Sequence, residues 1–158
     1  MTMTEGRTAL LIAAKFAGNS SDVFEVLLKN GCNPNEKDRE GRTALHITAA
    51  EKNANPIVFQ VLLQNGCEPD QKDNKGRTAL HIAASTENDN SDVIKVLLEN
   101  GCKPDERDKK GRTALHLAVS RERENPEVIQ ALLKNGCKPE EKDREVYYLK
   151  GQEGVLEG

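Results

Sequence analysis

The sequence predicts an all-α solenoid of stacked helix–turn–helix units, with short hairpin-like turns between them and a period of 35 residues. Two repeated signatures and the composition carry that reading. The stretch Gly76-Arg77-Thr78-Ala79-Leu80-His81 stands again at Gly41 to His46 and Gly111 to His116, and at Gly6 to Leu11 with Leu11 in the place of histidine. Asn-Gly-Cys recurs on the same step at Asn30, Asn65, Asn100 and Asn135. The 158 residues are 36% hydrophobic, 3% aromatic and 31% charged, which is thin for one large core. A solenoid removes that difficulty. Each unit packs only on its neighbours, so small apolar side chains suffice.

Four repeats fill residues 1–142, as units of about 1–35, 36–70, 71–105 and 106–140, and 143–158 is a degenerate tail. Unit 3 shows the elements in order. Asp73-Asn74-Lys75-Gly76 reads as a turn, with Asx supplying a local hydrogen bond and Gly the permissive backbone. Thr78 suits an N-cap. Ala79 to Ser85 follows as a short first helix, with Leu80, Ala83 and Ala84 at i, i+3, i+4 on one buried face. Two helical turns do not stand alone in water, so packing must hold them.

A polar loop, Thr86 to Asn90, leads to a second helix over about 92–99, capped by Asn90 or Ser91. Val93, Ile94, Leu97 and Leu98 form its buried face. Their counterparts are Val58, Phe59, Leu62, Leu63 and Val128, Ile129, Leu132, Leu133. Asn55-Pro56 and Asn125-Pro126 place an Asn cap before a Pro at the first helical position, where the missing N–H costs nothing. Each Asn-Gly pair ends a helix, with Gly in the left-handed region. Pro34, Pro69, Pro104 and Pro139 forbid continuation, and a charged, extended return leads to the next unit. In the tail, Val146 stands where Gly is due. Val146, Tyr148, Leu149, Val155 and Leu156 are placed to cover the open end of unit 4 as a partial cap, the alternative being a mobile tail or a scar from cutting a longer array.

The Thr-Ala-Leu-His stretch, the paired short helices and the run Leu97-Leu98-Glu99-Asn100-Gly101-Cys102-Lys103-Pro104 together resemble the ankyrin repeat, over about residues 4–143. The resemblance implies a hairpin or turn finger followed by an antiparallel helix pair, stacked into a curved solenoid. Three departures stand out. Ala9, Ala44, Ala79 and Ala114 occupy the usual proline position, Gly-Cys replaces the usual Gly-Ala, and the period is 35 rather than about 33. The two extra residues fall in the loop between helices and add a polar ridge along one edge.

The charge balance of 23 basic and 26 acidic side chains, net −3, lacks the basic footprint of a nucleic-acid binder. No apolar run reaches the ~18 residues of a membrane span, and Met1 to Glu5 lacks the regions of a signal peptide. Neither a nucleic acid nor a membrane is therefore expected as a partner. The four cysteines recur once per unit. Stacked helices lie about 8–10 Å apart, beyond the ~7 Å Cα separation a disulfide tolerates, and zinc sites want close ligand pairs. The cysteines read as reduced, buried, small hydrophobes, which points to a reducing compartment, cytoplasm or nucleus. His46, His81 and His116 each follow a threonine by three residues and recur in register. They read as hydrogen-bond brackets between threonine and histidine and between adjacent turns. There is no phosphate loop, HExxH or defensible triad, so no cofactor, metal or enzymatic activity is expected.

Function then rests on surface. A protein–protein interaction scaffold is the leading expectation. The resemblance implies binding through finger tips and the concave face of the first helices. On this chain those positions are Arg39, Glu40, Arg42, Asn74, Lys75, Arg77, Lys109, Lys110 and Arg112, with Glu51, Thr86 and Arg121 on the helices. Arg7, Arg42, Arg77 and Arg112 line up as a stripe that grows more basic toward unit 4. It suits an acidic peptide, since arginine pairs bidentately with carboxylates. The other reading is a solvated row answering Asp38, Glu40, Asp73 and Asp108. Two further functions are open: a regulatory inhibitor masking a signalling or transcription factor, and the substrate-recruiting arm of a larger enzyme. Unit 1 carries Ala9 to Ala14 as an apolar run, and Phe16 at an exposed place, where a terminal repeat should be polar. Either the array is cut from a longer one or this end meets something; self-association through it is one outcome.

Overall fold

The computed structural model describes residues 8–16, 20–120 and 125–139. Among these residues there are eight helices and no strand. Four short first helices are α1 (Ala9–Phe16), α3 (Ala44–Ala49), α5 (Ala79–Ser85) and α7 (Ala114–Val119). Four second helices of nine residues are α2 (Ser21–Lys29), α4 (Pro56–Gln64), α6 (Ser91–Glu99) and α8 (Pro126–Lys134). First helices pack in one row, α1 on α3 on α5 on α7, and second helices in another, α2 on α4 on α6 on α8. The fold is a two-layer solenoid, and its core runs between the layers from unit to unit.

The core repeats with the sequence. Leu10, Leu45, Leu80 and Leu115 are wholly buried, as are Phe24, Phe59 and Ile94 one layer away. Each large apolar side chain so buried contributes about 1.5–3 kcal/mol, which is what holds first helices of only two turns. Ala14, Ala49 and Ala84 keep the second layer close because they add almost no bulk.

Helix ends follow from local chemistry. Gly31, Gly66, Gly101 and Gly136 have φ of +92°, +98°, +98° and +109°. Their N–H groups bond back to Leu28, Leu63, Leu98 and Leu133, and the next residue's N–H reaches Leu27, Leu62, Leu97 and Leu132 at 3.0–3.1 Å. Two orphan carbonyls per helix are thus satisfied in a Schellman motif. At the other end, Asn55 Oδ1 accepts from Ile57 N–H at 3.0 Å, and Asn125 Oδ1 from Glu127 N–H at 3.1 Å, ahead of their prolines. Asn90 stands at the expected N-cap, but its side chain makes no cap bond. Its amide donates to the Ala83 carbonyl at 3.3 Å and to Thr86 Oγ1 at 2.6 Å, closing the loop from inside. The helix begins at Ser91, whose N–H goes instead to Asp89 Oδ1.

Candidate functional site

The fingers are built from a buried aspartate. Asp73 Oδ1 accepts the backbone N–H groups of Lys75 and Arg77, each at 2.9 Å. Its Oδ2 takes Arg77 Nε at 2.9 Å and Nη2 at 2.8 Å, a forked ion pair. Asp38 with Arg42, and Asp108 with Arg112, repeat the arrangement at 2.8–2.9 Å. Burial alone would raise these three carboxyls. The arginine backbone and guanidinium bonds outweigh it and hold all three below the usual carboxylate range.

Neighbouring fingers are joined backbone to backbone. Asn74 N–H donates to the Glu40 carbonyl at 3.0 Å, and Lys109 N–H to the Lys75 carbonyl at 3.1 Å. Asn74 Nδ2 adds a bond to the Arg39 carbonyl, and Lys37 and Lys72 each reach the carbonyl 35 residues on, at 3.1 Å. Glycine is required at Gly76 twice over: φ is +74°, and a Cβ there would come within 2.8 Å of the Lys109 backbone nitrogen.

Behind the fingers, histidine ties units together. His81 Nδ1 accepts from Thr78 N–H at 3.1 Å, so Nε2 carries the proton and donates to the Arg112 carbonyl at 2.8 Å. His46 does the same between Thr43 and the Arg77 carbonyl, at 3.1 and 2.7 Å. Burial lowers the pKa of both, against the raising effect of the carbonyl bond. The expected bracket is therefore present, and both imidazoles are spent on structure.

The sequence-derived contact residues fall into three groups. Arg39, Glu40, Asn74, Lys75, Lys109 and Lys110 are exposed at the tips. Arg42, Arg77 and Arg112 are half-buried behind them, with Nε and Nη2 engaged by the aspartates; they brace the row. On the helices, Glu51 lines a notch of about 70 Å³ with Leu11, Lys15, Arg42, Ile47 and Ala50. Thr86 is half-buried and bonds to Ala83 and Asn90. Arg121, Arg7 and the tail lie outside the described residues.

Two sets of structural residues escaped sequence reasoning. Asn35, Asp70 and Asp105 each accept a backbone N–H from the next unit, from Glu68, Lys103 and Lys138 at 2.8, 3.0 and 3.4 Å. Cys67, Cys102 and Cys137 each point Sγ at the carbonyl of the preceding unit's proline, at 3.2–3.5 Å. Their recurrence on the 35-residue step was the available signal; the atoms joined were not readable from it. Burial pushes the Cys67 and Cys102 thiols up to about 12.

Among the described residues no helix is long and apolar enough to cross a membrane, and no three His, Cys, Asp or Glu side chains group as metal ligands. A family model described as ankyrin repeats (3 copies) matches residues 1–58 and 47–143. No curated protein matches the chain.

Proposed function

The chain belongs to the ankyrin-repeat family, whose arrays serve in general as protein-interaction modules, and from that footing we propose that it is a scaffold that binds a partner protein through its finger tips and concave face, without chemistry of its own. One observation carries this reading. The fingers are locked to each other through backbone bonds, yet their tip side chains point into solvent. A rigid row of exposed groups binds without a large ordering cost.

The electrostatics favour an acidic segment as partner. Because Asp38, Asp73 and Asp108 occupy one edge of each arginine, the charge on offer to a partner is concentrated at Lys75, Lys109 and Lys110, with Arg39 at the far end. Arg42, Arg77 and Arg112 support these tips. Glu51 and Thr86 extend the surface along the first-helix layer. Regulatory masking of a signalling or transcription factor, or recruitment of substrates to a larger enzyme, are uses the same surface would serve. A location in cytoplasm or nucleus agrees with the free thiols.

Affinity capture with the purified chain tests the proposal. The triple change Lys75→Glu, Lys109→Glu and Lys110→Glu touches only exposed side chains, so folding should persist. Captured partners should be lost or weakened at least ten-fold. Undiminished capture by the folded triple variant would overturn the fingertip reading.

A further inference from the structure

The junction between units 1 and 2 differs from the two junctions that follow it. A notch of about 70 Å³ opens there between α1, the finger of Asp38 and Arg42, and α3. Its lining comes from both units, so it lies inside the array. The volume is several times the ~10–15 Å³ that one water needs and far below the roughly 300–1,000 Å³ of a small-molecule pocket. It has room for the tip of one side chain. Two changes in the repeat distinguish this junction. Where His46 and His81 send Nε2 to the Arg77 and Arg112 carbonyls, unit 1 has Leu11, and a polar strut becomes an apolar wall. Where the later units have Ala50, Ser85 and Ser120, unit 1 has Lys15.

The charges around the notch do not satisfy one another. Asp38 takes Nε and Nη2 of Arg42, and Glu40 lies 3.3 Å from Nε, which leaves Nη1. Lys15 is exposed, and among the described residues neither Lys15 nor Glu51 takes part in an ion pair. Leu11 and Ile47 are buried beside them. Two cationic groups with acceptors to find therefore share one notch with an apolar floor.

We propose that this notch receives one acidic side chain, aspartate or glutamate, of an extended partner segment. Its methylenes rest on Leu11 and Ile47, and its carboxylate meets Lys15 Nζ and Arg42 Nη1 in charge-assisted bonds. Complementarity of charge selects this guest. A lysine or arginine would meet two like charges, and a purely apolar side chain would desolvate both cations without an acceptor. The unpaired Glu51 limits the site to one acid, because it repels a second carboxylate while accepting a backbone N–H of the bound segment. The proposal rests on the reading of the chain as an interaction module, and it adds an anchoring point that the finger tips do not supply.

Amide NMR spectra of the 158-residue chain, titrated with the peptide acetyl-Ala-Glu-Ala-amide and with its glutamine counterpart, test it. The glutamate peptide should give saturable shifts at Leu11, Ile47 and Glu51. The glutamine peptide should bind at least five-fold more weakly. Lys15→Gln changes an exposed side chain, and its own spectrum reports that it folds. It should weaken the glutamate peptide about two- to five-fold, the worth of an exposed ion pair, and Lys15→Arg should restore binding. Absence of shifts at the notch, equal binding of the two peptides, or Lys15→Gln binding as the native chain does would each overturn the proposal. The chain carrying Lys75→Glu, Lys109→Glu and Lys110→Glu separates the two readings. Undiminished partner capture with the notch shifts intact would sink the finger tips and leave the notch standing. Lost capture, in a native chain that shows no notch shifts, would sink the notch alone.

Discussion

Replacing His81 with leucine removes a cross-unit brace and leaves the volume filled. The packing part is already tested by nature, since Leu11 fills the same position of unit 1 at 1% exposure. The polar part is not replaced. Thr78 N–H, in a residue 1% exposed, loses the Nδ1 acceptor at 3.1 Å. An orphaned buried donor costs about 1–3 kcal/mol. The Arg112 carbonyl loses the Nε2 donor at 2.8 Å but keeps Asp108 N–H at 2.9 Å, so that loss is nearer the ~0.5–1.5 kcal/mol of an ordinary hydrogen bond. The extra apolar burial of leucine returns about 1 kcal/mol. The net expectation is a loss of about 2 kcal/mol, or a fall in Tm of about 4–8 °C for a domain of this size. Urea unfolding at pH 7, followed by circular dichroism, measures it. The slope matters as well as the midpoint, because a weakened junction in a nearest-neighbour array can let its two sides unfold separately. A loss below about 0.5 kcal/mol with an unchanged slope would refute the brace.

Three other outcomes follow from the same geometry. Gly76→Ala and Gly111→Ala both place a side chain at positive φ, +74° and +75°, but only the first also meets a neighbouring backbone atom within 3 Å; thermal melts should show a loss of about 1–2 kcal/mol at Gly111 and a clearly larger one at Gly76. In native thiol labelling followed by mass spectrometry, half-buried Cys32 should react first, while Cys67 and Cys102, pushed up to about 12, should react only after unfolding; equal native rates would contradict the burial. Acid should destabilise the fold in two stages, measured as urea midpoints against pH. His46 and His81 have pKa values depressed from 6.5, so the native state binds fewer protons and their stability is lost as pH falls below 6.5 toward the native values. Asp38, Asp73 and Asp108, depressed from 3.8, hold their stability above that value and lose it as pH falls through their native ones. Asp70, raised by burial, works in the opposite sense and offsets a part. A flat midpoint between pH 7 and pH 5 would exclude the histidine stage.

The frame was legible because repetition multiplies weak signals. One Ala79–Ser85 pattern is short, but with three counterparts on the same step it specifies a helix, and the helix is found at those limits. The Asn-Gly ends and the Asn-Pro starts were readable because each uses one residue type for one backbone need. Asn90 stands at the N-cap as expected, with its carbonyl accepting Ile94 N–H, but its buried side-chain amide bonds within the loop and Asp89 Oδ1 takes the Ser91 N–H. The site was legible only in part. Sequence placed the tips, and it offered an acidic ligand and the nearby aspartates as rival partners for the arginine row. Choosing between them needs distances, and the forked 2.8–2.9 Å contacts bind the arginines to the aspartates. The inter-unit bonds of Asn35, Asp70 and the cysteines depend on which atoms the stacking brings together.

The central claim is that the repeated histidines are braces of a rigid frame, which leaves recognition to the residues that vary at the finger tips. Imidazole nitrogen NMR of the native chain, followed from neutral pH to pH 5, addresses it most directly. His46 and His81 should both show the neutral tautomer with the proton on Nε2, and should keep it below the ordinary value of 6.5. Tautomer mixtures at neutral pH, or titration of both rings near 6.5, would contradict the claim.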